Sequence, residues 1–216
     1  MNIRPILIIT LASIALLAGC NIVAPIALVF EPPPSKDAAT DLDSDRMTVI
    51  FIDDRASRLP KRSLRGLIGK TAEENLISKK ILAADQVIPA QSAVRIIEFE
   101  SSESPMSVSD IGRRLGAGVV VYMTIDAWTL TRDGSSIAPS ARARMKIIDA
   151  VNNERIFPAQ ELGYNVIVRM PTRPGAVPGD RSARAALDNE LAVELGIELA
   201  RVFYDHEIDP MSKRRL

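Results

Sequence analysis

A run of seven residues in the middle of the chain, 119–125 (VVVYMTI), is apolar on both of the faces that a strand presents. This composition is typical of a central strand that is covered on both sides. A sheet with such a strand must bury it under helices. The run therefore predicts an α/β (α+β) fold, with one mixed sheet and helices packed on it in two or three layers.

The flanking sequence alternates between helical and strand patterns. Residues 107–110 (SVSD) offer N-cap candidates for a helix that Gly116 ends, and Asp180 can cap the last helix. The predicted elements, in chain order, are a strand at 47–52, a helix at 61–82, a short helix at 89–97, a helix at 107–115, a strand at 119–130, strands at 141–148, 155–157 and 162–170, and a helix that runs to about residue 204.

The strand predicted at 141–148 separates a core face from a charged face. Its odd-numbered positions from 143 to 147 are apolar, whereas Arg142, Arg144 and Lys146 are basic and point the other way. This basic row can contact anionic lipid headgroups or an acidic partner. It can also be a solvated sheet face with cross-strand ion pairs, and this is what we expect.

The N-terminus has the three parts of an export signal. Arg4 is the only charge before an apolar stretch at 6–17, and Leu17-Ala18-Gly19-Cys20 follows. This tetrapeptide matches the bacterial lipobox at each position. The resemblance implies that residues 1–19 are a cleaved signal peptide and that Cys20 is lipidated. More than one acyl chain would make the membrane anchor stable.

An uncleaved transmembrane helix over residues 6–30 is the alternative, since this stretch is long enough to span a bilayer. Gly19-Cys20-Asn21 interrupts it, however, and Pro25 would kink it. Both hypotheses, the cleaved signal peptide and the transmembrane helix, leave the rest of the chain outside the cytoplasm. By the rule of enteric lipoproteins, Asn21 in place of Asp favours the periplasmic face of the outer membrane over the inner membrane.

The remaining chain divides into three parts. Residues 20–46 are predicted to be a flexible tether, with a proline spacer at 32–34 and a disordered, acidic linker at 35–46. Residues 47–208 form the mixed α/β domain. Residues 209–216 are a short basic tail.

Charge and cysteine content exclude several classes of function. The chain has 27 basic and 27 acidic residues, so nucleic acid is not an expected partner. Cys20 is the only cysteine, which rules out an intramolecular disulfide and any cysteine-based metal site in the folded domain. The domain must therefore be stabilised by its core.

Acidic residues form two patterns that could suggest a site. Asp41, Asp43 and Asp45 alternate like the start of a calcium loop, but Arg46 stands where that loop needs glycine. Asp53-Asp54 follows the first predicted strand and could be an acid/base or metal pair. We expect it only to end the strand and cap the following turn, since the single histidine, His206, is far away in sequence.

A third pattern, residues 66–71 (GLIGKT), imitates the end of a phosphate-binding loop. That loop needs four residues between its glycines and a strand directly before it. Here two residues separate the glycines, and the segment lies within a predicted helix. The sequence therefore predicts no catalytic residue, no metal site and no cofactor, and we expect a protein that is not an enzyme.

Two segments resemble the superfamily of the TolB N-terminal domain, which includes the lipoproteins CsgG and LpoB. Residues 109–122 (SDIGRRLGAGVVVY) are similar to its helix, Leu-Gly-Ala and strand segment. Residues 145–156 (MKIIDAVNNERI) resemble its hairpin between an Asp and a Glu. The resemblance implies the TolB-like fold and a domain that binds other envelope proteins.

These observations predict a membrane-anchored lipoprotein that faces the periplasm and acts as a non-enzymatic protein-binding or assembly module. Its partners are the membrane, through Cys20, and an envelope protein. The alternative is an oligomeric component of a secretion or export apparatus, which would require homo-oligomers. Such a component would lack its own transmembrane barrel, since the connection from Leu130 to Ala141 is short.

Overall fold

The structure is a computed structural model that describes residues 34–99, 104–159 and 162–208. Its four α-helices are α1 (Ser63–Ser78), α2 (Ala90–Glu98), α3 (Val108–Leu115) and α4 (Arg181–Ala200). Its strands are β1 (Ser35–Lys36), β2 (Thr48–Asp53), β3 (Val87–Ile88), β4 (Val119–Thr129), β5 (Ser136–Ile137), β6 (Ser140–Asp149), β7 (Glu154–Phe157), β8 (Tyr164–Arg169), β9 (Arg173–Pro174) and β10 (His206–Glu207).

One mixed sheet organises the domain. Its strands lie in the order β3, β2, β4, β6, and β7 and β8 then pair with successive parts of the far edge of β6. β2 is parallel to β3 and β4, whereas β4 and β6 are antiparallel. With helices on this sheet, the predicted α+β fold is confirmed.

The first face of the sheet is fully covered. α1 and α4 pack across it and against each other, so that Ile68 and Leu195 are fully buried above strand residues such as Val121, Met145 and Ile147. This is the larger of the two cores. It contains the apolar odd-numbered residues of β6, as the alternation in the sequence predicted.

Among the residues that the structure describes, the second face is covered over β2, the beginning of β4 and the end of β6. There α2 and α3 bury a smaller core that includes Phe51, Ala93, Ile111 and Val120. Further along β6 and β8 this face is exposed to solvent, and Arg142, Ile167 and Arg169 are exposed there. In the described part of the chain, no helix combines the length and the apolarity that a membrane span requires.

The predicted helix caps are present. The hydroxyl oxygen of Ser107 accepts a hydrogen bond from the Asp110 amide at 3.1 Å, and Asp180 accepts one from the Ala183 amide at 2.8 Å. Gly116 ends α3 with a φ of 77°, the left-handed conformation that glycine adopts without steric cost. The short α3 is therefore defined at both ends by local sequence.

Residues 34–46 differ from the prediction of a disordered linker. β1 pairs with β10, and the amide of Ala39 donates to the carbonyl of Val202 at 2.8 Å. The guanidinium of Arg46 bonds the carbonyl of Gly118 at 2.8 Å and the carboxylate of Asp149 at 3.1 Å. Polar composition suggested disorder, but backbone pairing and one ion pair hold this segment on the domain.

The sequence that imitates a phosphate-binding loop is helical, as expected. Gly69 lies in the middle of α1, and a Cβ placed there would lie 2.5 Å from the Cβ of Ala90 and 3.7 Å from Ile52. A Cβ on Gly66 would in turn meet the side-chain oxygen of Gln91. These glycines allow α2 to approach α1 closely, and this packing accounts for them.

We predict that Gly69→Ala destabilises the domain by about 1–3 kcal/mol, because the added methyl group overpacks the contact between α1 and α2. Adding Ala90→Gly to that variant should restore part of the loss. Lys70→Ala, next to Gly69 but exposed, should change stability by less than about 0.5 kcal/mol. Urea unfolding measures all three. A neutral or stabilising Gly69→Ala would show that helix propensity outweighs the contact.

Candidate functional site

The residues predicted for lipid attachment, Leu17, Ala18, Gly19 and Cys20, lie outside the described residues, and so do residues 209–216. Their assignment stays a prediction from sequence. The basic row and the acidic pair at the end of β2 fall within the described ranges.

Asp54 serves the turn that follows β2. Its carboxylate accepts hydrogen bonds from the amides of Arg58 and Leu59, at 2.7 and 3.0 Å. The carboxylate thus satisfies two backbone amides of a loop that belongs to no helix or strand. The capping role that the sequence analysis expected for this residue is confirmed.

Asp53 is nearly buried and joins three groups. Its carboxylate accepts from the Arg55 amide at 2.9 Å and from the Tyr122 hydroxyl at 2.8 Å, and the Arg55 guanidinium lies 3.4 Å away. Burial, followed by the charge of Asp53, raises the pKa of Tyr122 well above its usual value. The phenol is therefore a neutral donor at physiological pH. Its hydrogen bond helps to hold the Asp53 side chain at the end of β2.

The basic row lies on the second face of the sheet and has unequal partners. Arg144 forms a bidentate pair with Asp126 on the neighbouring β4, with N–O distances of 2.8 and 2.7 Å. This confirms a cross-strand ion pair for one member of the row. Arg142 is exposed, and Lys146 is half-buried with no ion pair to any described residue.

A groove of about 280 Å³ lies between the first turn of α3 and the end of the sheet, beside Lys146. Burial, followed by the charges of Arg155 and Arg144, lowers the pKa of Lys146. The residues that line the groove are Ser107, Val108, Ser109, Tyr122, Lys146, Ile148, Asn153, Glu154 and Arg155.

Sequence reasoning identified Lys146 but not the groove around it. The register of the hairpin places Arg155 opposite Ile148, and Ser107 and Val108 at the start of α3 line the same groove. The observed pairing of Asp149 with Glu154 leaves a four-residue connection, 150–153, and this register brings Arg155 opposite Ile148. The position of α3 over β6 is a long-range contact that no local pattern indicates.

Metal ligation finds no support among the residues that the structure describes. They contain no group of three His, Cys, Asp or Glu side chains placed to hold an ion. The amide of Asp45 bonds the side chain of Asp43 at 3.0 Å, so this carboxylate serves the local turn. His206 lies against Tyr204, with ring centroids 6.0 Å apart.

Comparisons with known proteins give fold likenesses of low score. No protein-family model and no curated protein matches the chain. The lipoprotein GNA1162 from Neisseria meningitidis is 12% identical at a TM-score of 0.40, over 68% of this chain and 96% of that chain. PelC from Paraburkholderia phytofirmans, a dodecamer, is 12% identical at a TM-score of 0.36, over 78% of this chain and 98% of that chain. The hypothetical protein CT253 from Chlamydia trachomatis is 17% identical at a TM-score of 0.33, over 70% of this chain and 96% of that chain.

One further titratable group is notable, although it lies away from the groove. Glu73 on α1 is buried against α2, and its carboxylate accepts a hydrogen bond from the Ala90 amide. Burial raises its pKa to about 7 from an ordinary value of 4.5, and the hydrogen bond opposes this rise. The native state therefore binds more protons than the unfolded state between these two values.

We predict that Glu73 makes the free energy of unfolding fall as the pH rises from about 4.5 through 7. Its raised native pKa contributes stability that is complete below the unfolded value and lost above the native one. Glu73→Gln should flatten this dependence and be more stable than the wild type at alkaline pH by roughly 1 kcal/mol.

Urea unfolding between acidic and alkaline pH measures this difference, and Glu194→Gln, an exposed position on α4, is the control. If Glu73→Gln and the wild type gave parallel curves, the carboxyl would be titrating normally in the native state.

Proposed function

We propose that this chain is a lipid-anchored protein of the bacterial cell envelope whose α+β domain binds another envelope protein without catalysing a reaction. The observation that carries the binding role is the uncovered, cation-rich half of the sheet's second face, formed by β6, β7 and β8. We call it the open face. It presents Arg142, Lys146, Arg155 and Arg169.

The anchor rests on the match of Leu17-Ala18-Gly19-Cys20 to the lipobox. Pro34, the first described residue, follows Cys20 by fourteen positions. An extended chain of that length reaches about 45 Å, enough to hold the domain at the membrane surface and still let it turn. The same proposal places the domain in the periplasm and, because residue 21 is Asn, the anchor in the outer membrane.

The binding role is supported by how the open face differs from the rest of the sheet. An antiparallel part of a sheet commonly leaves one face in water, and that face then has polar side chains. Here exposed Ile167 lies among exposed arginines on β6 and β8. A cationic surface of this kind favours a partner with an acidic surface and increases its rate of association.

Membership of the TolB-like superfamily is part of the proposal as well. The two segments that suggested it adopt the expected local structures. Residues 109–122 contain most of α3, the glycine stop and the beginning of β4, and residues 145–156 form the hairpin of β6 and β7. These structures support the resemblance, and with it a role in binding envelope proteins.

We predict that a photo-crosslinking amino acid at Ile167, on the open face, captures a specific envelope protein in living cells. The same amino acid at Lys70, exposed on α1 beside the covered face, should not capture it. Mass spectrometry of the adducts identifies the partner. No adduct from Ile167, or the same adducts from both positions, would contradict a partner site on this face. Adducts with other copies of this chain alone would favour the oligomeric alternative.

We predict that Cys20→Ser abolishes labelling of the protein by radioactive palmitate and releases it from the membrane or leaves its signal uncleaved. The wild type should be labelled and recovered in the membrane fraction. A wild type that is unlabelled yet remains in the membrane after alkaline extraction would establish the transmembrane alternative for residues 6–30. No other cysteine is present to accept the label.

A further inference from the structure

The groove beside α3 contains an uncompensated positive charge. Lys146 projects from β6 towards the second face and is half-buried there, so water solvates its ammonium group only in part. Among the described residues it forms no ion pair. The charged groups that act on it most are two arginines, Arg144 and Arg155. A cation in these surroundings is stabilised by an anion from outside the domain.

The remaining charges near the groove define how much negative charge it accepts. Arg144 is neutralised by Asp126, and Asp110 is engaged by Ser107 and Arg113. The groove lining itself contains Lys146, Arg155 and Glu154. Of the two cations, Lys146 forms no ion pair with a described residue, and a single carboxylate is enough to neutralise its charge. A dianionic phosphate would leave excess negative charge beside Glu154.

The shape and the polarity of the groove suit an acidic side chain. Its volume of about 280 Å³ exceeds what a lone small anion needs. Val108, Ile148 and Tyr122 provide apolar contact for the methylene groups that precede a carboxylate.

The neighbouring sheet edge favours a protein over a lipid. β7 is the last strand of the described sheet on this side, and it pairs with β6 alone. The other edge of such a strand can add an extended protein segment by backbone hydrogen bonds. Alternate side chains of an added segment point to the same face as Arg155, that is, towards the groove.

We propose that this groove binds the carboxylate of a Glu or Asp side chain presented by an extended acidic segment of the partner protein. Lys146 provides the central charge, Arg155 the outer one, and the edge of β7 the backbone pairing. This inference rests on the proposed function, because it names the chemistry of the partner that the domain binds.

The test uses the full-length, lipidated protein in detergent and fluorescein-labelled hexaglutamate as the probe, with hexaglutamine as the uncharged control. Fluorescence anisotropy at low salt should show saturable binding of hexaglutamate only. Lys146→Gln should weaken this binding at least tenfold and Arg155→Gln several-fold, whereas Lys146→Arg should retain it. Lys61→Gln, which removes an exposed lysine elsewhere, should bind like the wild type.

Three results would overturn the proposal. The first is the absence of saturable hexaglutamate binding. The second is an equal loss in Lys146→Gln and Lys61→Gln, which would mean general attraction to basic residues. The third is binding to phosphatidylcholine vesicles that contain phosphatidylglycerol, or to inorganic phosphate, without binding to hexaglutamate. Circular dichroism of each variant checks its fold, and Arg155→Gln, at an exposed position, keeps the test decisive if Lys146→Gln unfolds.

Failure of this inference is distinguishable from failure of the proposed function. If crosslinking from Ile167 captures an envelope protein and Lys146→Gln leaves both capture and peptide binding unchanged, the domain binds its partner outside the groove. If Lys146→Gln abolishes hexaglutamate binding and the in-cell adduct together, the groove is the contact. Binding of hexaglutamate by the wild type without any in-cell adduct would leave the groove chemistry intact and contradict the proposed partner.

Discussion

Helix coverage of the sheet is unequal, and the surface chemistry of the domain depends on this inequality. α1 and α4, which cover the first face, have 16 and 20 residues, whereas α2 and α3 have 9 and 8. A helix of eight residues is about 12 Å long, but the ten residues of β6 extend for about 33 Å. α2 and α3 therefore cover β2 and the beginning of β4, and the far strands meet water.

This geometry explains why β6 has one apolar and one charged face. Charged groups are costly to bury unless they are paired, so they gather where the sheet meets water. Arg144 is partly buried and paired with Asp126. Lys146 lies closest to α3, where it loses water without gaining an acidic neighbour among the described residues. At the boundary between the covered and uncovered halves, an anion that binds would therefore stabilise Lys146 most.

Local sequence was sufficient to predict the main elements. The alternation at 141–148 predicted both faces of β6, and Ser107, Gly116 and Asp180 mark helix ends through interactions within a few residues. The apolar run at 119–125 identified the central strand of the sheet. Each of these signals depends on neighbours in the chain, which is why a single sequence reveals them.

The features that could not be predicted depend on distant contacts. β1 and β10 have two residues each and pair across most of the chain, so neither has a periodic pattern of its own. The burial of Glu73 follows from the approach of α2 to α1, which Gly66 and Gly69 permit. The groove likewise exists because the first turn of α3 lies beside β6. In all these places the sequence shows the residue but not the distant residue that it contacts in the fold.

The attachment of residues 34–46 has a mechanical consequence. The contacts that hold this segment include the two-residue pairing of β1 with β10, the bond from Ala39 to Val202, and the bonds of Arg46 to Gly118 and Asp149. Ala39 and Leu42 also pack against the larger core. A force applied to the chain before Pro34 loads these contacts before it reaches β2. Release of residues 34–45 would free about 40 Å of extended chain and would break the contacts of Ala39 and Leu42 with the larger core. The fold thus stores a length of chain that tension can draw out.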